Sequence, residues 1–293
     1  MISIVIITRN RKDELKKTIL SCLRQNSVNE FVVVDNNSSD GTQEDIEQLA
    51  SKHSFNLKYL FMKENLGVAG ARNVGFENST GEIVFFIDDD AYIDDSPDCF
   101  RRIEELMLTH PDIAIVATDI YNVQDNAYQY GVFPKGVLPR TEGEVLYFIG
   151  ASHFIRKSVF AGGRLYPENL FFEQEERYAS FLAWGLGYRV WYTKLMCVTH
   201  APSTFTRISN RDRSLNNYLN SFIIKKLLNP GCLIPLVWLM FITRFSLFVG
   251  LNIKSWKTCI SLYRERYNVS DRRPTSLKKT IELIKKFGIK PLL

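Results

Sequence analysis

From residue 2 to about residue 120 the chain alternates between two patterns. Nearly continuous apolar runs (ISIVIIT, EFVVVD, LKYLFM, GEIVFFID) are separated by segments such as KDELKKTILSCLRQ, TQEDIEQLASKH and GVAGARNVGFENS. Runs without period-2 alternation suit strands buried on both faces, and helical patterns between them predict βαβ units around a parallel sheet. Each run ends in a polar burst: Thr8-Arg9-Asn10, Asp35-Asn36-Asn37, Glu64-Asn65 and Asp88-Asp89-Asp90. Open α/β sheets bind ligands beyond the carboxyl ends of their strands, so these bursts mark the side where chemistry is expected.

Residues 121–170 are rich in Gly, Pro and aromatic side chains and predict mixed strands and loops. FFEQEERYASFLAWGL (171–186) predicts a helix, and YRVWYTKLMCVTHAP returns as strand and loop. The segment 227–253 has one charge, Arg244, and the last residues carry Leu277, Ile281 and Ile284 among lysines.

Composition sharpens this division. The 293-residue chain has a formal net charge of +5. Residues 1–202 hold 20 Lys and Arg against 28 Asp and Glu, whereas residues 203–293 hold 17 against 4. So basic a segment suits an anionic surface such as a membrane leaflet. The apolar Leu, Ile, Phe and Trp within it favour lipid over nucleic acid. Five widely spaced cysteines without a C-x-x-C pair suggest neither a disulfide framework nor a zinc site, and read as reduced thiols of a cytosolic protein. The opening MISIVIITRN lacks the basic flank and cleavage site of a signal peptide and is expected to be a first strand.

The candidate chemistry gathers at the strand ends. In an extended strand residues two apart share a side, so Asp88 and Asp90 are expected to point together, with Asp89 a bystander on the other face. Paired carboxylates form a hard-oxygen chelate suited to Mg²⁺ or Mn²⁺, ions that commonly share their coordination with substrate phosphates. Asp35 is placed to accept hydrogen bonds from a base or ribose, or else to cap a turn. In ENLGVAGARNVGF, Gly67, Gly70 and Gly75 surround Arg72, an arrangement that lets backbone approach a ligand while a guanidinium meets phosphate or a base. Glu173, Glu175 and Glu176 begin the predicted helix, and a carboxylate there suits a general base or simply the helix dipole. His200 closes an apolar run; it is structural unless the fold brings it to Asp90.

Taken in order, VVDNNSSDGT, ENLGVAGARNVG, the DDD of 88–90, and EE at 175–176 followed by GYR and His200 resemble the family 2 glycosyltransferases with a GT-A fold. The resemblance covers roughly residues 2–202. It implies an α/β, Rossmann-like, mostly parallel central sheet flanked by helices, with a helical C-terminal extension. It implies a nucleotide-sugar-binding half to about residue 120 and an acceptor half over 121–202; the basic, partly apolar composition of residues 203–293 adds the expectation of a helical, membrane-associating region there. From the resemblance, Asp90 binds the divalent metal, Asp88 the metal or ribose, and His200 completes the metal shell. Thr8, Arg9, Asn10, Asp35, Asn37, Asn65, Gly67, Arg72 and Asp89 fall where such enzymes hold the nucleotide. Glu176 occupies the position of the base, with Glu175 and Glu173 as alternatives, because the family often has Glu-Asp there. Gly162-Gly163 are followed by Arg164-Leu165-Tyr166, where family members often carry Phe-Asp.

The implied activity is inverting, metal-dependent transfer from a nucleotide-diphosphate sugar, a UDP-sugar foremost with dTDP- or GDP-sugars as alternatives. The implied acceptor is a glycan hydroxyl, expected to be lipid-linked and destined for a cell-surface polysaccharide. Other classes are a sugar-phosphate nucleotidyltransferase, whose glycine-rich N-terminal signature TRNRKDEL lacks, and a non-catalytic nucleotide-binding regulator. The 227–253 segment is long enough to span a bilayer, which takes about 20 residues. Pro230 and Pro235 are expected to break its first half, and Arg244 costs about 2.5–3.5 kcal/mol at a membrane centre. An interfacial or re-entrant helical element flanked by Lys225-Lys226 and Lys254-Lys257 fits better, with burial against the catalytic domain as the alternative, and the enzyme is expected to lie peripherally on the cytoplasmic face of the membrane.

Overall fold

The computed structural model describes residues 1–94, 96–161, 165–170, 173–202, 210–250 and 252–291, with the backbone alone for 210–212. The Gly162-Gly163-Arg164 element and the start of the basic region at Ser203 lie outside the described residues. The chain runs through β1 (Ile2–Thr8), α1 (Lys12–Cys22), β2 (Val28–Asp35), α2 (Thr42–His53), β3 (Leu57–Phe61), α3 (Gly67–Asn78), β4 (Ile83–Asp88), β5 (Ala91–Ile93) and α4 (Cys99–Thr109). It continues through β6 (Ile113–Asn122), β7 (Ala127–Gln129), β8 (Gly143–Glu144), β9 (Ser152–Arg156), α5 (Glu175–Gly185) and β10 (Arg189–His200). Four helices follow: α6 (Asn210–Leu228), α7 (Ile234–Val249), α8 (Ile253–Arg266) and α9 (Leu277–Phe287).

The strands form one sheet in the order β3-β2-β1-β4-β9-β6-β10-β5, with β7 beside β6 and β8 beside β10. β1 pairs in parallel with β2 and β4, and β2 with β3. β9 enters antiparallel between β4 and β6, β10 is parallel to β6, and β5 is antiparallel to β10. Six strands therefore share one direction, and Thr8, Asp35, Asp88, Asn122 and His200 all end at the same edge. The expected, mostly parallel sheet is what the chain builds.

The unbroken apolar runs have a simple cause. Val5, Val34, Val84 and Phe86 belong to one core, against α3 and α5, while Ile4, Ile6, Val33, Phe85 and Ile87 belong to another, against α1 and α4. Alternate residues thus face different hydrophobic layers, and neither face can be polar.

The helical extension is not a separate tail. Leu170 and Tyr178 share a core with Leu219, Phe222, Ile223 and Phe245, which joins α6 and α7 to α5. α9 returns to the sheet layer through Leu283 and Phe287, with the Phe287 ring 5.7 Å from Trp184. Each such burial contributes about 1.5–3 kcal/mol. The buried face of α9 is Thr280, Leu283 and Phe287, whereas the expected apolar positions Leu277 and Ile281 are exposed.

Neither proline breaks α7. Pro230 lies between α6 and α7, and Pro235 occupies the first turn of α7, where a backbone N–H has no helical partner to lose. The 19-residue stretch Gly231–Val249 is long and apolar enough to cross a membrane, and 17% of it is buried.

Candidate active site

β4 stops at Asp88, and Asp89 and Asp90 form a turn into β5 instead of continuing the strand. The expected alternation therefore does not apply, yet Asp88 and Asp90 still converge. β5 pairs antiparallel with β10, which sets His200 opposite Ala91, and the Ala201 amide donates to the Asp90 carbonyl at 3.0 Å. One carboxylate oxygen each from Asp88 and Asp90 and one imidazole nitrogen of His200 lie within 4.8 Å of one another. Two hard oxygens with an imidazole fit Mn²⁺ or Mg²⁺. His200 Nε2 lies 3.3 Å from Asp90. Burial opposes charge on that imidazole, but the Asp90 hydrogen bond and the field of Asp88 outweigh it and raise its pKa.

Asp89 is not a bystander. Its buried carboxylate accepts from the Thr8 hydroxyl at 2.8 Å and from Arg11 Nη1 at 3.0 Å, and its carbonyl accepts from Thr18 Oγ1 at 2.9 Å. Burial, relieved in part by Arg11, pushes its carboxyl up to about 7. The Thr8 hydroxyl, expected on the nucleotide, is thereby committed to fixing the acidic turn onto β1.

Arg72 departs furthest from expectation. It is 3% exposed, below the strand ends, and does not face open solvent where a phosphate would enter. Its Nη2 donates to Asp88 at 2.8 Å and to the Gly150 carbonyl at 2.9 Å, while Nη1 donates to Glu175 at 2.9 Å. Burial opposes its charge, and Asp88 and Glu175 more than restore it, so its pKa rises. A Cβ at Gly150 would come within 3.1 Å of Nη1, which makes the glycine part of this fit. The other expected glycines serve packing. A Cβ at Gly75 would lie 2.3 Å from Val5 Cγ1, so glycine is what lets α3 lie on β1; Gly67 opens α3 with φ +71°.

α5 begins at Glu175, four residues later than the expected 171, because Glu173 and Gln174 adopt left-handed backbone at φ +69° and +76°. Glu173 is spent on Arg213. Glu175 is buried against Arg72, although burial still raises its carboxyl above the usual range. Glu176 sits half-buried, with no side-chain hydrogen bond or ion pair among the described residues. Burial and the neighbouring Glu175 push its carboxyl up to about 8. Glu173 and Glu175 each engage an arginine through one oxygen, whereas no side-chain partner of Glu176 is found among the described residues, which leaves its raised carboxyl the best placed of the three to act as a general base.

The remaining expected residues divide into two groups. Arg9 and Asn37 are exposed at the strand-end edge. Asn10 is also exposed, but its side chain accepts from the Ser39 amide at 2.8 Å. Asp35 is buried, and its oxygens receive the Tyr59 hydroxyl and the Ser38 amide, so they serve the loop. Asn65 Oδ1 accepts from Asn36 Nδ2 at 2.7 Å and from the Gly67 amide at 3.0 Å. Two residues were missed. Asn36 ties β2 to the start of α3, and Arg11 bridges Asp89 and Asp90, the latter at 2.9 Å. Arg11 directly follows the Thr8-Arg9-Asn10 burst, and that adjacency is the signal the sequence carries.

Residues 3–163 match the profile of Glycosyl transferase family 2. Over 92 residues the chain is 37% identical to a GalNAc(5)-diNAcBac-PP-undecaprenol beta-1,3-glucosyltransferase of Campylobacter jejuni, covering 30% of this chain and 29% of that one. The chain spans between 22% and 37% of the length of seven of the curated relatives it matches. Among solved structures, S. aureus TarS 1-349 in complex with UDP-GlcNAc superposes with a TM-score of 0.64 at 17% identity, covering 92% of this chain and 82% of that one. The mannosyltransferase PcManGT from Pyrobaculum calidifontis, in complex with GDP-Man and Mn²⁺, gives 0.58 at 16% identity, covering 96% and 78%. At such identities the structural likeness is one of fold.

Proposed function

The chain belongs to glycosyl transferase family 2, and on that premise we propose that it transfers a sugar from a nucleotide-diphosphate donor to an acceptor hydroxyl with inversion, assisted by a divalent ion. The observation that carries this reading is the pairing of two groups of residues. Asp88, Asp90 and His200 converge at the strand ends, and Arg72 links Asp88 to the helix turn that carries the unpaired Glu176. Asp88, Asp90 and His200 would hold Mn²⁺ or Mg²⁺, which when bound supplies Lewis acidity to the departing diphosphate.

Glu176 takes the proton of the acceptor hydroxyl. The resulting oxygen nucleophile attacks the anomeric carbon on the face opposite the diphosphate, whose bond to that carbon breaks with its electron pair. A single displacement inverts the configuration. Arg72 touches neither phosphate nor sugar in this scheme; it fixes Asp88 and Glu175, and through Glu175 the first turn of α5. A UDP-sugar is the first candidate donor. The acceptor is read as a lipid-linked glycan at the cytoplasmic face of the membrane, a reading supported by the lipid-linked substrate in the name of the Campylobacter relative and by the exposed apolar residues of α7.

Incubation with a panel of UDP-, dTDP- and GDP-sugars plus Mn²⁺ tests the proposal. Metal-dependent release of the nucleoside diphosphate from one donor, lost in Asp90→Ala, is expected; no release from any donor overturns it.

A further inference from the structure

A cavity of about 340 Å³ lies between the start of α5, α6 and α7, outside the acidic cluster. Three cationic side chains line it, Arg177, Lys225 and Arg244, and no Asp or Glu is among its described lining residues. Arg177 leans on the Tyr147 ring at 4.5 Å, and its Nε is buried without a hydrogen-bond partner. Burial and the nearby charges of Arg177 and Arg244 push the Lys225 ammonium down to about 7. Like charges gathered in a partly desolvated space repel, and an anion among them relieves both costs.

The lining is also aromatic. Phe222 and Phe241 stack at 4.2 Å, and Arg244 stands 5.9 Å from the Tyr218 ring. α7, which supplies Phe241 and Arg244 to the cavity, carries an outer surface of exposed apolar residues including Leu239 (62%) and Leu247 (83%). Cavities of roughly this size and above accommodate organic ligands rather than a lone inorganic anion. The ligand these features select is amphiphilic, with a compact anionic head and a hydrocarbon tail.

We propose that this cavity binds the phosphate end of a lipid-carried acceptor, with Arg177, Lys225 and Arg244 as its phosphate ligands and the Phe222–Phe241 wall against the first part of the hydrocarbon chain. The inference rests on the lipid-linked reading of the acceptor and adds where the anchor sits. Arg177 follows Glu176 in the chain, so the anchor phosphate is held beside the first turn of the helix that carries the base. Guanidinium groups suit this task because they donate to phosphate oxygens in pairs.

The test titrates farnesyl phosphate, farnesol and inorganic phosphate into the full-length protein by calorimetry. The variants are Lys225→Gln, Arg244→Gln and, as a control outside the cavity, Lys254→Gln, with thermal unfolding to establish that each is folded. Farnesyl phosphate is expected to bind more tightly than either half alone, and Lys225→Gln and Arg244→Gln to weaken it about tenfold. Lys254→Gln should leave farnesyl phosphate binding unchanged, while reducing attachment to phosphatidylcholine vesicles containing phosphatidylglycerol. Equal affinity for farnesol and farnesyl phosphate overturns the proposal, as does binding that the cavity variants do not weaken. A free-phosphate site is indicated, and the lipid assignment overturned, if inorganic phosphate binds as tightly as farnesyl phosphate. Nucleotide-sugar hydrolysis in the same preparations separates the two readings. Hydrolysis without farnesyl phosphate binding removes this site alone, whereas binding without hydrolysis removes the catalytic reading and leaves the site.

Discussion

Glu175 meets Arg72 at 2.9 Å across 103 residues of chain, and both side chains are buried. The same guanidinium holds Asp88 at 2.8 Å, so a single side chain joins the strand end that carries the acidic cluster to the helix that carries the candidate base.

Removing Arg72 leaves Glu175 as an uncompensated buried charge. Arg72→Met is expected to cost about 3–5 kcal/mol, with Asp88 adding little because it is partly solvated. Urea unfolding of Arg72→Met, Glu175→Gln and the double variant reads the coupling. The Glu175→Gln change should cost much less once Arg72 is absent, and additive losses would refute the linkage.

Glu176 must be deprotonated to accept a proton, and its carboxyl is raised to about 8 by burial and by Glu175. Transfer should therefore rise about tenfold per pH unit below that value and level off above it. Glu176→Gln is expected to abolish this limb and lower kcat by about 10²–10⁴-fold, with KM little changed. The raised value also means that the folded chain holds this proton more tightly than the unfolded one. Stability should then fall as pH rises from the ordinary carboxylate range towards about 8, and Glu176→Gln should flatten that slope, measurable by urea titrations across the range.

Chelation of divalent ions is expected to stop transfer, with activity restored by Mn²⁺. Asp90→Asn and His200→Gln should weaken Mn²⁺ binding in the presence of UDP by at least about 10- to 100-fold, the range seen when even supporting groups of a metal site are removed. Electron paramagnetic resonance of free Mn²⁺ reads this directly, without reliance on turnover. Unchanged affinity in both variants would exclude these two side chains as ligands.

Above about pH 7, where its buried carboxyl is ionised, Asp89→Ala should destabilise the fold, because the Thr8 hydroxyl and Arg11 lose a buried charged acceptor. Hydrogen bonds to charged groups contribute about 1.5–3 kcal/mol each. Thermal unfolding of Asp89→Ala beside Thr8→Val tests this, with the larger loss expected in Asp89→Ala. An unaltered melting temperature would return Asp89 to the role of bystander.

Properties fixed by local pattern were legible in the chain. Two-sided burial of β1, β2 and β4 follows from their unbroken apolar runs, and the placing of Thr8, Asp35 and Asp88 at strand ends follows from where those runs stop. What escaped depends on where distant segments meet. Arg72 among glycines reads as an approachable cation, and only the docking of α3 beneath Gly150 and Glu175 buries it. Period-2 geometry failed at Asp89 because the chain turns after Asp88, one residue before the pattern would show it. On α9 the lysine-rich sequence offered several apolar stripes, and the sheet layer selected Leu283 and Phe287, not Leu277 and Ile281.

The shared core of α5, α6 and α7 has a geometric consequence for substrate choice. Tyr178 on α5 and Phe245 on α7 belong to the same hydrophobic cluster, so the candidate base Glu176 and the apolar outer surface of α7 are parts of one packed block. If α7 rests in a lipid surface, Glu176 rides at a fixed altitude above it. The enzyme would then act as a height gauge, glycosylating hydroxyls at one distance from their anchor and passing over chemically identical ones that sit too low or reach too far.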